Sequence, residues 1–181
     1  CSRTSPSVTP PPLGSTSGWW FYWVYLAFCE APIYTKENTV FLSIDPGINM
    51  CGIAVVKSQG NKLEVLETHL VKNARKFTDA EKELEVLHGT RYVKVMAIIN
   101  KLTELLDKHK TKLLVIEAPF YSALTPVAFG SLLEVILAIK YTTAIERKLE
   151  LSMVEPTLVK KIFTGHGRAK KDMMKEYAIS L

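Results

Sequence analysis

Apolar positions follow two rhythms along this chain. Between Val40 and Val71 they come in short β-type runs. Val40–Asp45 is closed by Pro46-Gly47, Cys51–Lys57 is closed by Ser58-Gln59-Gly60-Asn61, and Lys62–Val71 alternates. Three such runs joined by turn-forming residues predict an antiparallel meander. From Thr78 the period lengthens. Leu84, Leu87, Val95, Ile98, Ile99, Leu102, Leu105 and Leu106 recur at helical spacing, which predicts a helix reaching His109. Thr78-Asp79-Ala80-Glu81 supplies an N-cap signal for it. Lys112–Glu117 is a near-continuous apolar run, as expected of a strand covered on both faces. Val127–Lys148 reads as a second helix, Leu151–Val154 as a fifth strand and Pro156–Phe163 as a helix. Thr164–Ala169 reads as a glycine-bearing loop and Lys170–Leu181 as a further helix. The order β-β-β-α-β-α-β-α implies an α/β fold. Three antiparallel strands are followed by parallel βαβ units, forming a mixed sheet flanked by helices.

The first 38 residues break this pattern. Residues 1–18 are rich in Pro, Ser and Thr and can bury little. Trp19–Cys29 is an apolar run with five consecutive aromatics, Trp19–Trp23, too short to span a bilayer comfortably and without a clear small-x-small cleavage site after it. Residues 1–38 are therefore expected to be a disordered or extraneous segment, and 39–181 the folded domain, with no membrane association. The chain starts at Cys1 and stops at Leu181 inside a helical pattern, so a C-terminally truncated domain is expected.

Composition narrows the class. With 48% hydrophobic and 23% charged residues the chain is globular rather than disordered. A net charge of +5 suits a nucleic-acid partner and suits a merely basic domain equally well. Cys1, Cys29 and Cys51 form no CxxC and no Cys/His cluster, which argues against a disulfide framework or structural zinc and for a reducing cytosol.

Two carboxylates carry candidate chemistry. Asp45 ends the first strand before Pro-Gly, and Glu117 ends the fourth before Ala118-Pro119. If those strands are parallel neighbours, joined by a right-handed crossover, both acids leave the sheet at the edge where α/β folds place their ligands. Adjacent carboxylates repel and raise each other's pKa, and a hard divalent cation, Mg²⁺ or Mn²⁺, relieves the conflict. Two such ions can activate water and stabilise the leaving oxygen of a phosphodiester. Taken singly, Asp45 reads as well as a turn cap and Glu117 as a solvated strand end. Further on, Pro156–Glu176 holds six Lys or Arg and two acids, around Gly165 and Gly167. Glycine backbone N–H groups can approach a phosphate, Lys171 could stabilise its charge, and Lys160, Lys161, Arg168 and Lys170 could hold a nucleic-acid backbone. His166 in the loop is not assigned a role.

These segments together resemble RuvC-type Holliday-junction resolvases, members of the RNase H-like superfamily. FLSIDPGINMCGIAVV is similar to their first two strands, LLVIEAPFYS to the strand with the second acidic ligand, and VEPTLVKKIFTGHGRAKKDMM to their later VK pair, Gly-x-Gly loop and lysine. The resemblance spans roughly Val40–Leu181. It implies Asp45 and Glu117 as Mg²⁺ ligands (Mn²⁺ also suiting the site). It further implies Phe120, or Tyr121 beside it, as an aromatic stacking on junction bases, and Lys160 and Lys171 near the scissile phosphate. The implied activity is metal-dependent cleavage of four-way DNA junctions in recombination and repair. The implied setting is a homodimer, with Val127–Ile145 able to present its face, in the cytoplasm of a bacterial or phage-infected cell.

The chain departs from that pattern at its end. The family completes its site with further acids in a D-x-x-D-A-like motif, and none follows Lys171; Asp172 and Glu176 match poorly. A cleavage-deficient fragment is expected. A non-catalytic junction-binding protein and a YqgF-like RNase H-fold nuclease acting on RNA remain open as alternatives. An actin-like ATPase fits less well, because no second DxG-type phosphate turn occurs.

Overall fold

The computed structural model describes residues 38–59, 62–119, 126–167, 169 and 173. Five strands form one sheet: β1 (Val40–Asp45), β2 (Met50–Gln59), β3 (Lys62–Lys72), β4 (Leu113–Glu117) and β5 (Glu150–Val154), in the order β3-β2-β1-β4-β5. β1 is antiparallel to β2 and β2 to β3, whereas β1 is parallel to β4 and β4 to β5. The antiparallel meander and the parallel βαβ units expected from the hydrophobic pattern are both present. β1 and β4 lie inside the sheet and are buried along almost their whole length, as their apolar runs, broken only by Ser43 in β1, require.

Alternation along the strands divides the core into two layers. Leu42, Ile44, Cys51, Ile53, Val55, Leu114 and Ile116 face helices α2 (Thr90–His109) and α3 (Pro126–Lys140), meeting Ile98, Leu102, Leu105, Val135, Ile136 and Ile139. Phe41, Ala54, Val56, Leu63, Leu113 and Val115 face the opposite side. In β3 a bulge shifts the register, Val55 pairing with Glu67 and Val56 with Val65. The extra residue, Leu66, is exposed, and the shift moves Glu67, His69 and Val71 to the helix-covered face.

Two elements differ from the sequence pattern. The long helix expected from Thr78 is two helices, α1 (Asp79–His88) and α2, broken at Gly89, which adopts φ 86°. α1 buries none of its residues, and Leu84 and Leu87, which continue the helical spacing, are exposed. The helix after β4 continues from α3 into a π-helical segment, Tyr141–Glu146, where Thr143 Oγ1 donates to the carbonyl of Ile139 at 2.7 Å. Pro126–Glu146 is long and apolar enough to cross a membrane by composition, but its Val135, Ile136 and Ile139 are packed in the core, as in a core helix. The chain then enters β5 and α4 (Pro156–Thr164). The helix expected over 170–181 lies outside the described residues apart from Met173, which is helical, and so does the segment 1–37.

Candidate metal and nucleic-acid site

The sheet topology sets Asp45 and Glu117 side by side. The parallel register runs Leu42 to Leu114, Ser43 to Val115 and Ile44 to Ile116. One step further brings Asp45 level with Glu117, on strands about 4.8 Å apart. Strand alternation gives both side chains the same face. Asp45 shares it with Phe41, and Glu117 shares it with Leu113 and Val115, all in the layer away from α2 and α3. Both residues are half-buried. β5 extends this edge, with Val154 beside Glu117 and the Ala118 N–H donating to the Val154 carbonyl at 2.9 Å.

A hard divalent cation fits such a pair, because each carboxylate offers oxygen and the cation cancels their repulsion. Among the described residues no group of three or more His, Cys, Asp or Glu is arranged to hold a metal. Asp45 and Glu117 would therefore supply part of a coordination shell.

The turn after Asp45 is tightly constrained. Pro46 is buried, and a Cβ added at Gly47 would lie 2.4 Å from the Met50 carbonyl oxygen, so only glycine fits without shifting the backbone. Beneath it, burial pushes the Cys51 thiol up to about 12, against a hydrogen bond with the Gly47 backbone and with help from the negative charge of Asp45. Cys51 is thus an inert core thiol. The turn is also held from outside by Asn73, a residue no sequence motif singled out. A buried polar residue between a strand and a helix N-terminus was the available signal.

α4 starts directly past the tip of β5, at the same sheet edge, with Glu155 as its N-cap residue and Pro156 in its first turn. Lys160 is half-buried and Lys161 exposed. The loop after the helix folds back on it. Gly165 takes φ 74°, Thr164 Oγ1 donates to the Lys160 carbonyl at 2.9 Å, and the His166 N–H donates to Thr164 Oγ1 at 3.2 Å. A Cβ on Gly167 would meet the Thr157 carbonyl oxygen at 3.2 Å, so this glycine also serves the packing of loop against helix. Phe120, Tyr121, Arg168, Lys170 and Lys171 lie outside the described residues.

Comparison with known proteins gives a consistent result. The family model described as crossover junction endodeoxyribonuclease RuvC matches residues 41–180. Proteins of that name from Christiangramia forsetii, Alkaliphilus metalliredigens and Rhodopirellula baltica are 24%, 26% and 30% identical to this chain. The matches cover 77%, 76% and 74% of the chain and 65%, 75% and 67% of the respective relatives. The chain thus spans about two thirds to three quarters of their length. The Thermus thermophilus RuvC structure superposes with a TM-score of 0.54 at 24% identity, covering 78% of this chain and 79% of that one. The same protein in complex with a Holliday junction substrate gives 0.55 at 23% identity, covering 78% of each. The RNase H-like mixed sheet expected from the sequence is the fold these structures share.

Proposed function

The chain belongs to the RuvC family of crossover junction endodeoxyribonucleases, and from that premise we propose that it is a structure-selective endonuclease of four-way DNA junctions. The observation that carries the reading is the placement of Asp45 and Glu117 on one face of adjacent parallel strand tips. Their carboxylates would hold Mg²⁺, with Mn²⁺ as the other hard ion suited to oxygen donors. The ion supplies Lewis-acid stabilisation of phosphate charge and an acidified water when bound. Asp45 and Glu117 would anchor it from the two strand tips. Lys160 and Lys161 hold the DNA backbone beside that edge, with Arg168, Lys170 and the backbone at Gly165 and Gly167, and Lys171 offsets charge on the scissile phosphate. Phe120, with Tyr121 beside it, stacks on an unpaired base at the opened crossover, a contact that asks for no particular sequence.

Two active sites would suit a junction with near two-fold symmetry, so the working unit is a homodimer. Leu133, Leu137, Tyr141 and Ile145, spaced four residues apart along one helix and all exposed, support a dimer face there. A protein acting on recombination intermediates works where the DNA is, in the cytoplasm of a bacterial or phage-infected cell.

The test is cleavage of a synthetic four-way junction by the full-length protein with Mg²⁺. Asp45→Asn and Glu117→Gln should each lower the rate by more than about a hundredfold, since even outer-shell changes at metal sites cost 10–100-fold. Junction affinity without metal should persist. Wild-type rates in both variants, or a preference for structured RNA over junctions, would overturn the reading.

A further inference from the structure

Asn73 follows β3 and is buried, with 2% of its surface exposed. Its backbone N–H donates to the Asn49 carbonyl at 2.9 Å. Its side-chain amide nitrogen donates to the Ile48 carbonyl at 2.8 Å and to the Lys94 carbonyl in the first turns of α2 at 3.0 Å. Lys94 closes the loop by donating from Nζ to Asn49 Oδ1 at 2.7 Å. One asparagine therefore ties two consecutive carbonyls of the Pro46–Asn49 turn to a helix across the sheet edge.

Stability alone accounts poorly for this side chain. Its Oδ1 is buried without a hydrogen-bond partner among the described residues. Reversing the amide would aim oxygen at two carbonyls, so the observed orientation is dictated by the donors. An apolar residue of the same shape would avoid the cost of about 1–3 kcal/mol of that unmet acceptor, but would take the side-chain donor from the Ile48 and Lys94 carbonyls. What the apolar residue would lose is the hold on the turn. That turn starts at Asp45 and has little slack, because Gly47 abuts the Met50 carbonyl. Freeing the Ile48 carbonyl lets the turn shift, and with it the direction in which the Asp45 carboxylate leaves the strand.

We propose that the Asn73 side chain positions the Asp45 metal ligand, acting through the Ile48 carbonyl, which it ties to the Lys94 carbonyl of α2. The inference rests on the metal reading of Asp45 and Glu117. It is tested in the full-length protein with Asn73→Leu, which keeps the volume and removes the side-chain donors, and Asn73→Thr, which keeps one donor. Mn²⁺ binding is measured by EPR titration, junction cleavage as a function of Mg²⁺, and Tm alongside. Asn73→Leu should weaken Mn²⁺ binding about tenfold, the lower end of outer-shell effects. Its Mg²⁺ requirement for cleavage should rise in parallel, with metal-free junction affinity unchanged. Asn73→Thr should lie between it and wild type, and carries the test if the leucine variant does not fold. Unchanged Mn²⁺ affinity and Mg²⁺ requirement in folded variants, whatever happens to Tm, overturns the proposal. Asp45→Asn is the control. If it binds Mn²⁺ like wild type, the metal reading fails and the Asn73 inference falls with it.

Discussion

Past the β3 bulge, the Glu67 carboxylate accepts from Lys108 Nζ at 2.9 Å on both oxygens and contacts His109 Nε2 and, at 3.0 Å, His69 Nε2. The Lys108 ammonium, with the two imidazoles, holds the Glu67 carboxyl at about 2, well below its ordinary 4.5. The folded-state pKa is the lower one, so the contribution is present above pH 4.5 and disappears as pH falls towards 2. Partial exposure keeps it below about 1 kcal/mol. Glu67→Gln should therefore be slightly less stable than wild type at pH 7. The difference should vanish between pH 4.5 and 2 in urea denaturation curves measured across that range. A constant difference at all pH values would assign Glu67 a packing role. Sequence reading missed this cluster because His69 and Glu67 alternate like any solvent-facing strand residues. The bulge that turns them onto the helix-covered face appears only when β2 and β3 are paired. Asp45 and Glu117 were legible because each interrupts an apolar run at a strand end.

At the scale of elements, α1 shows where periodicity misleads. Leu84 and Leu87 continue the helical spacing of α2, but Gly89 ends that continuity and α1 stays outside the core. Its integrity depends on local chemistry. The Thr78 hydroxyl accepts from the Glu81 N–H at 3.3 Å, and the Glu81 carboxylate accepts from the Thr78 N–H at 2.8 Å, completing a capping box. Thr78→Ala should cost about 1 kcal/mol. The loss should stay within the helix as faster amide exchange across Asp79–His88. The global Tm should move by much less than the roughly 2–4 °C per kcal/mol expected of a globally coupled change in a chain of this size. A Tm drop on that full scale would show α1 to be part of the cooperative core.

Across the whole molecule, α3 and its π-helical continuation have two apolar sides. Val135, Ile136 and Ile139 pack on the sheet, while Leu137 and Tyr141 are exposed by 68% and 55%. If that outer side joins two copies, Leu137→Asp should convert a dimer to a monomer in sedimentation experiments and leave the fold intact, since Leu137 contributes nothing to the core. Paired cleavage of a junction by one bound protein should then give way to single nicks. A variant that remains dimeric would place the interface elsewhere.

The sequence by itself determined the strands, their turns, the two acid-bearing strand ends and the basic helix, because these depend on local alternation and on turn residues next to one another in the chain. It reached the parallel pairing of β1 with β4 only as a condition, and it did not reach the bulge that reorients Glu67, the break at Gly89 or the clasp of Asn73 on Ile48. Asp45 and Glu117 are 72 positions apart in the chain, and only hydrogen-bonding of their strands in parallel makes them neighbours. Contacts between distant segments depend on which faces can be buried together, and that is settled only when the whole sheet closes over its core.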